Sequence, residues 1–185
     1  MRIEAYAIIS EDGMIADAAG RMPAVLTVEA DQIFFHDGLD RAAVVVHGRH
    51  SYEGGPQAPA RSRLVVTSRV ASLAPDRSRA RALFWNPAGA SLAQALAELG
   101  ISSGTIAVIG GADVYEVFWD PGYDAFHLTR VAGARLRGGR AVFRALDSRS
   151  EHKTPEDVLA SHGMEPGPAM GLAPDVTLVT WSPAH

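Results

Sequence analysis

The chain lacks cysteine, long apolar runs and a strong excess of charge of either sign. Without cysteine it can form no disulfide, no thiolate nucleophile and no cysteine-bound metal site. No apolar run approaches the roughly 20 residues that span a bilayer, and the N-terminal segment carries Glu4 and no cleavage-site pattern. Basic residues are scattered and the net charge is −4, which does not indicate a nucleic-acid or membrane surface. We therefore expect a soluble, cytoplasmic protein with no nucleic-acid and no membrane partner.

Length and composition favour one domain over residues 1–185. The apolar share is 47%, and a chain of this size buries roughly 70% of the surface that its unfolded form exposes. The sequence shows no internal repeat, no low-complexity tract and no clear domain boundary.

Alternation of apolar runs with helical patterns predicts an α/β fold. Strands are expected at residues 3–10, 42–47, 64–67, 106–109, 126–131 and 176–181. Several of these runs are continuous rather than alternating, which is typical of parallel strands buried on both faces.

Two helices are predicted from their capping signals. Ser91 and Gln94 form a capping box, apolar residues follow at helical spacing, and Gly100 suits the position just after the helix. Thr27 is expected to cap a second helix over residues 28–35. We expect residues 56–63 and 147–174 to be irregular, and the second of these segments is rich in proline, glycine, serine and charge.

The sequence Ile109-Gly110-Gly111-Ala112-Asp113-Val114-Tyr115 carries an apolar strand directly into a glycine pair that opens a helix. Glycines permit a sharp turn, and the free N–H groups of a first helical turn attract phosphate. An ordinary strand-to-helix turn is the alternative.

Two more strand ends carry cationic and hydroxyl side chains. Gly48-Arg49-His50-Ser51-Tyr52-Glu53 follows one strand, and Thr67-Ser68-Arg69 ends another. A guanidinium can grip a phosphate with two hydrogen bonds. Taken alone, Arg49 and the Ser68-Arg69 pair could equally be solvated surface residues. The ends of parallel strands share one sheet edge, where α/β folds bind ligands.

Asp31 and Phe35 lie four residues apart and therefore share one helix face. A carboxylate beside an aromatic ring in a pocket can have its pKa raised, and it can then bind or protonate a ring amidine. Asp31 could instead serve only to complement the helix dipole.

Other site types lack their sequence signals. His47 and His50 have no third ligand at a helpful spacing, so we expect no metal. The sequence contains no Gly-x-Ser-x-Gly elbow, no Walker-type loop and no Gly-x-Gly-x-x-Gly fingerprint.

These motifs, taken in order, resemble the dihydrofolate reductase superfamily, which includes the reductase domain of the bifunctional riboflavin-biosynthesis deaminase-reductase. The resemblance covers residues 3–143. It rests on the runs at Gly48, Thr67 and Ile109 quoted above and on the strand Phe126-His127-Leu128-Thr129-Arg130-Val131. It implies a three-layer fold with a mainly parallel central sheet and an antiparallel C-terminal strand.

The resemblance also implies an NADPH-dependent reductase. The cofactor would be bound by Gly48, Arg49, His50, Ser51, Ser68, Arg69, Gly110, Gly111, Ala112, Asp113, Val114 and Tyr115. Asp31 would orient or protonate the substrate, with Phe35 as a packing wall, Thr129 as hydrogen-bond partner of Asp31, and Arg61 as an anion anchor. A non-catalytic NADP-binding module of the same fold is the alternative.

The sequence resembles two branches of the superfamily that act on different substrates. The segments at Met22-Pro23 and at Asp31 resemble dihydrofolate reductase, whereas Ser10-Glu11-Asp12-Gly13-Met14-Ile15-Ala16 resembles the riboflavin branch. Ala24 stands where dihydrofolate reductases have tryptophan. The expected substrate is thus a pterin, a pyrimidine or a related heterocycle or imine. A homodimer that completes the pocket is a further expectation from the riboflavin branch.

Overall fold

The computed structural model describes residues 1–51, 54–146 and 153–184. Its strands are β1 (Arg2–Ser10), β2 (Met14–Ala16), β3 (Val44–Gly48), β4 (Arg63–Val66), β5 (Leu73–Pro75), β6 (Ala82–Trp85), β7 (Thr105–Val108), β8 (Ala125–Val131), β9 (Arg140–Ala141), β10 (Met164–Ala173) and β11 (Val176–Pro183). Its α-helices are α1 (Glu29–Arg41), α2 (Leu92–Glu98), α3 (Ala112–Val117) and α4 (Pro155–Ser161).

A nine-stranded sheet runs through the molecule in the order β10-β11-β8-β1-β7-β3-β4-β6-β5. Its centre is parallel, since β8, β1, β7, β3, β4 and β6 pair in the same direction. β11 is antiparallel to β8, and β10 returns antiparallel to β11. The predicted mainly parallel sheet with an antiparallel C-terminal strand is confirmed, and β5 adds a second antiparallel edge.

Apolar side chains cover both faces of this sheet. One face holds the larger cluster, which includes Val46, Phe118 and Phe126. On the opposite face, Tyr6 and Val45 pack with α1. The continuous apolar runs are explained by this double coverage, because a strand between two layers has no solvent-facing side.

The capping signals of α2 predict its structure correctly. The Ser91 side chain accepts a hydrogen bond from the Gln94 N–H, and the Gln94 side chain accepts one from the Ser91 N–H. Gly100 follows the helix with φ +69°. The helix therefore begins and ends where local chemistry satisfies its terminal backbone groups.

The predicted start of α1 is wrong in detail. Val28 holds the N-cap position and makes no side-chain cap, while Thr27 ends the preceding 3₁₀ turn, Ala24–Leu26. The acids Glu29 and Asp31 do lie in the first turn. The dipole interaction that they provide replaces the expected hydroxyl cap.

The expectation that residues 147–174 are irregular is also wrong over the part that the structure describes, residues 153–174. α4 begins at a second capping box, formed by Thr154 and Asp157. β10 then forms the outer edge of the sheet despite prolines at 166 and 168. An edge strand tolerates proline because one side of its backbone needs no partner. Among the described residues, no helix has the length and apolar character needed to cross a bilayer.

Candidate active site

An open cleft of about 1260 Å³ begins at the sheet edge where β3, β4 and β7 end, and it continues between α1 and strands β1 and β8. The loops that follow these parallel strands lie at the same edge of the sheet, which is where ligands bind in α/β folds. The cleft therefore has a strand-end part and a part under α1.

The strand-end part gathers segments that are far apart in sequence. Its lining includes Gly48, Arg49, His50, Ser51, Thr67, Ser68, Arg69, Asn86, Gly111, Ala112, Asp113, Val114 and Tyr115. Ser68 and Arg69 are exposed to the cleft, and Asn86 is fixed by a hydrogen bond from its Nδ2 to the Val70 carbonyl oxygen. Tyr52 and Glu53 lie outside the described residues.

Gly110 does not line the cleft but shapes its wall. Its carbonyl oxygen accepts a hydrogen bond from the Gly48 N–H at 2.9 Å, and the Gly110-Gly111 peptide bond is cis. The φ of Gly110 is +89°, and a Cβ built there would lie 2.9 Å from the Tyr115 hydroxyl oxygen. Only glycine fits both the backbone angle and the space.

Tyr115 joins this turn to the sheet. Its side chain is buried, and its hydroxyl donates to the Tyr6 carbonyl oxygen at 2.6 Å. Burial, with a smaller contribution from the charge of Asp31, raises the pKa of Tyr115. Tyr115 is therefore a neutral hydrogen-bond donor that fixes the wall of the cleft.

Asp113 places a carboxylate beside the glycine turn, and this charge would repel a phosphate. Its Oδ1 accepts a hydrogen bond from Arg144 Nε, and both side chains are largely exposed. Arg144 also lines the cleft. The pairing places a positive charge beside the Asp113 carboxylate and offsets its repulsion of a phosphate.

The part of the cleft under α1 contains Asp31. The residue is half-buried, and the Thr129 side chain on β8 lies close to its carboxyl group. The pKa of Asp31 lies above the ordinary value, because burial disfavours the charged form more than the neighbouring Thr129 hydroxyl favours it. Phe35, Asp31 and Thr129 all line the cleft, so the structure brings these three predicted residues together.

Arg61 is the predicted site residue that the structure takes elsewhere. It does not line the cleft, and its buried guanidinium forms an ion pair with Asp40 on α1. A guanidinium held in this way stabilises the packing of α1 and is not presented to a ligand in the cleft. The expectation of a substrate anchor at Arg61 is therefore corrected.

Tyr6 and His127 also line the cleft, although the sequence analysis assigns neither of them a role in the site. Their rings lie 4.7 Å apart between centroids, and the Tyr6 hydroxyl donates to Glu4 Oε2 at 2.8 Å. His127 Nδ1 lies 2.9 Å from the Thr180 hydroxyl oxygen. Burial lowers the pKa of His127 more than the nearby Glu4 carboxylate raises it. The sequence signal for both residues is the two-residue periodicity of a strand. Tyr6 lies two residues from Ile8, and His127 lies two residues from Thr129, so each pair faces the same side of the sheet.

Three further residues line the cleft, namely Met22, Leu26 and Arg140. Met22 is half-exposed and Leu26 is buried, and Arg140 on β9 lies against Gly20. Both Met22 and Leu26 precede α1 and are near Asp31 in sequence. Their apolar side chains could exclude water from the part under α1.

No known family model matches this chain, and no curated protein sequence matches it. Solved structures do resemble it. A protein assigned to riboflavin biosynthesis from Shewanella sp. PV-4 superposes with a TM-score of 0.69 at 17% identity, covering 100% of both chains. The diaminohydroxyphosphoribosylaminopyrimidine deaminase/5-amino-6-(5-phosphoribosylamino)uracil reductase of Thermotoga maritima superposes with a TM-score of 0.67 at 17% identity. This chain is covered over 99% of its length but matches 56% of that protein.

A third similar structure is the dihydrofolate reductase of Enterococcus faecalis in complex with NADP(H) and an inhibitor. The TM-score is 0.63 at 18% identity, with 98% of this chain and 95% of that chain covered. The fold is that of dihydrofolate reductase. At this level of identity, the likeness establishes the architecture alone.

Within the dihydrofolate reductase fold of this chain, the described residues contain no group of three or more histidine, aspartate or glutamate side chains suited to a metal. The cleft instead combines basic and glycine-rich strand ends with one half-buried carboxyl group. This combination suits an anionic cofactor at one end and a small polar heterocycle at the other.

Proposed function

We propose that this protein is an NADPH-dependent oxidoreductase that reduces a C=N bond of a small heterocycle or imine, of the pterin or pyrimidine class. The observation that carries the proposal is the joining of two features in one cleft: cationic strand ends, and Asp31 with its raised pKa. Neither feature alone distinguishes an enzyme from a binding protein.

The residues of the strand-end part fit a phosphorylated dinucleotide. At Gly110 the backbone packs so closely against Tyr115 that there is no room for a Cβ. The Gly48 N–H donates a hydrogen bond to the Gly110 carbonyl oxygen. Arg49 and His50 lie on one side, and Ser68 and Arg69 lie on another. The second pair suits a ribose 2′-phosphate, since a guanidinium can bind it with two hydrogen bonds. This supports NADPH over NADH.

The size of the cleft also fits the proposal. Pockets for drug-sized ligands measure about 300–1000 Å³, and this cleft measures about 1260 Å³. It therefore has space for a dinucleotide with a small ring beside it. The NADP(H) bound by the E. faecalis enzyme of the same fold supports this cofactor, and the Thermotoga reductase supports a pyrimidine as one candidate substrate.

Bound NADPH would supply the hydride. Asp31 would bind the N–H groups of the heterocycle and hold the proton that balances hydride transfer. Thr129 would fix the orientation of the Asp31 carboxyl, Phe35 would pack against the ring, and Leu26 would help to exclude water. Because its pKa is raised, Asp31 keeps its proton to a higher pH than an exposed aspartate does.

Fluorescence titration with NADPH and NADH tests the cofactor, and NADPH oxidation tests turnover. The substrates are 7,8-dihydrofolate, a 7,8-dihydropterin without a glutamate tail, and a ribosylaminopyrimidine. We expect NADPH to bind more tightly than NADH, and at least one substrate to be reduced. Tight NADPH binding without oxidation of any substrate would instead favour a non-catalytic NADP-binding module. The homodimer stays a prediction that sedimentation can test.

Asp31→Asn tests the catalytic assignment. We expect kcat/KM of the wild type to fall as the pH rises through the raised pKa of Asp31, and the variant to lose both this dependence and most of its activity. Asp37→Asn is the matched control, because Asp37 is an exposed acid on the same helix that does not line the cleft. An unchanged rate and pH profile in Asp31→Asn would refute the assignment.

A further inference from the structure

Tyr6 lies at the inner end of the cleft, where nothing in the proposed function gives it a role. We propose that Tyr6, held in place through Gly38, closes this end and restricts the substrate to a heterocycle without a bulky substituent on the edge that faces Tyr6. The inference rests on the proposed function in one respect, namely that Asp31 binds the heterocycle.

The pairing of β1 with β8 sets the distance from Asp31 to this end. Ile8 is opposite Thr129, and Tyr6 is opposite His127. Thr129 lies close to Asp31, and both line the cleft. Two residues along a strand span about 6.6 Å. The Tyr6 and His127 level is therefore separated from the Asp31 and Thr129 level by roughly the width of one six-membered ring.

α1 runs past the same two levels. Asp31, Phe34 and Gly38 follow one another at helical spacing, so they share one face. The Phe34 ring lies 6.0 Å from the Tyr6 ring and 5.2 Å from the His127 ring. The inner end is thus walled by three aromatic rings, those of Tyr6, Phe34 and His127, which all line the cleft.

Gly38 explains how the Tyr6 ring fits against α1. A Cβ at Gly38 would lie 2.5 Å from the Tyr6 hydroxyl oxygen and 2.6 and 2.7 Å from two of its ring carbons. Glycine is a poor residue for the interior of a helix, because it loses the most backbone freedom on folding. Its place in the middle of α1 is accounted for by the Tyr6 ring, which occupies the space of the missing side chain.

The Tyr6 hydroxyl is fixed at its other side. It donates to Glu4 Oε2 at 2.8 Å, and Glu4 also accepts a hydrogen bond from Arg2 Nε. The ring is therefore held by Gly38 and Glu4 rather than by solvent. Its hydroxyl is engaged by Glu4, so the wall at this end is aromatic and uncharged, which suits the flat edge of a ring and disfavours a bulky or charged substituent.

Binding of a compound series tests the wall directly. The probes are 2,4-diaminopyrimidine, whose cyclic amidine can pair with the Asp31 carboxylate, and its derivatives with a phenyl group at carbon 5 or at carbon 6. Calorimetry with saturating NADPH gives their dissociation constants. We expect wild type to bind the parent in an Asp31-dependent way, and to bind at least one phenyl derivative about tenfold more weakly, the equivalent of one lost contact or one mild clash.

Three variants separate the wall from other effects. Tyr6→Ala should remove the discrimination against that phenyl derivative, whereas Tyr6→Phe keeps the ring and should retain it. Gly38→Ala should displace the Tyr6 ring into the cleft and weaken binding of the parent by about tenfold. NADPH affinity should stay within about twofold in all three variants, because each changes a side chain at Tyr6 or Gly38 and leaves the Tyr6 carbonyl oxygen, which accepts the hydrogen bond from Tyr115, in place. Circular dichroism checks folding, and Tyr6→Ala serves alone if Gly38→Ala does not fold.

The outcomes distinguish this inference from the proposed function. If all probes bind in an Asp31-dependent way and with equal affinity to wild type and Tyr6→Ala, the inference that Tyr6 closes this end of the cleft is refuted, and the proposed function stays intact. If no probe binds to wild type or to Tyr6→Ala, the inference about Tyr6 is also refuted, since this end of the cleft would then hold no ring. The NADPH titration and turnover measurements decide the proposed function separately.

Discussion

Gly110→Ala is the substitution for which the structure predicts the largest effect from a single methyl group. The φ of +89° at Gly110 lies in the region that side chains rarely adopt. The new Cβ would also lie 2.9 Å from the hydroxyl oxygen and 3.0 Å from Cζ of Tyr115. Tyr115 is only 2% exposed, and its hydroxyl is hydrogen-bonded to the Tyr6 carbonyl oxygen. It therefore cannot move aside without leaving a buried acceptor unpaired.

The magnitude follows from these two components. A side chain at positive φ costs about 1–2 kcal/mol. Displacing Tyr115 adds about 1–3 kcal/mol for the lost buried hydrogen bond and the overpacking. We therefore expect Gly110→Ala to lower the free energy of unfolding by about 2–5 kcal/mol, a large part of the stability of a typical domain.

Gly100→Ala is the matched control, because Gly100 has φ +69° and no atom lies within 4 Å of a Cβ built there. It isolates the backbone strain, and we expect a loss of about 1 kcal/mol. Urea denaturation measures both variants, and NADPH titration should show weaker binding only for Gly110→Ala. If Gly110→Ala costs no more than Gly100→Ala, the reasoning on Tyr115 is refuted.

Three further variants test separate parts of the structure. Asp31→Asn should raise the melting temperature at pH 7, where the charged, partly buried carboxylate of the wild type destabilises the fold. This advantage should shrink as the pH falls through the raised pKa of folded Asp31, and it should be gone below the pKa of an unfolded aspartate. An advantage that persists at pH 3 would contradict this. Asp40→Ala should lower the free energy of unfolding by about 1 kcal/mol, through the loss of the Arg61 ion pair, without changing NADPH binding. Weaker NADPH binding by this variant would show that Arg61 contributes to the binding site after all. Ser91→Ala should cost about 1 kcal/mol in urea denaturation through the lost cap of α2, with kcat unchanged.

The strand-end part of the cleft could be predicted from the sequence because its signals are local. Each of its motifs combines a strand, a glycine or hydroxyl residue, and a basic or polar residue within a few positions. Parallel pairing then brings the ends of β3, β4 and β7 together without further information. A rule about strand ends therefore locates Arg49, Ser68 and Gly111 in one cleft.

The first strand of the C-terminal hairpin, β10, was not predictable from composition, because its prolines and glycines have a different meaning at a sheet edge. Pro166 and Pro168 would interrupt a central strand, but β10 pairs only with β11. The α4 cap, in contrast, has a sequence signal: Thr154 is followed by Pro155 and, three residues on, by Asp157. Proline at the first helical position is favourable, so a search for caps inside the supposed loop would have found it.

Arg61 shows that the chemistry of a side chain does not predict where the residue lies in the fold. The family resemblance predicts an anion site at Arg61, but in the structure the Arg61 guanidinium donates to the Asp40 carboxylate on the neighbouring helix. The two residues are 21 positions apart, and the contact depends on how α1 packs against the sheet. No periodicity in the sequence encodes that distance.

The part under α1 combines both kinds of information. Asp31 and Phe35 follow from helix spacing, but Tyr6 and His127 enter only through the pairing of β1 with β8. A shift of that pairing by one residue would turn Tyr6 and Thr129 to opposite faces of the sheet. The depth available beyond Asp31 is therefore a property of strand register and of one glycine on α1. Two chains with identical strand-end motifs could bind the same cofactor and still admit different heterocycles, because the residues that set this depth lie outside those motifs.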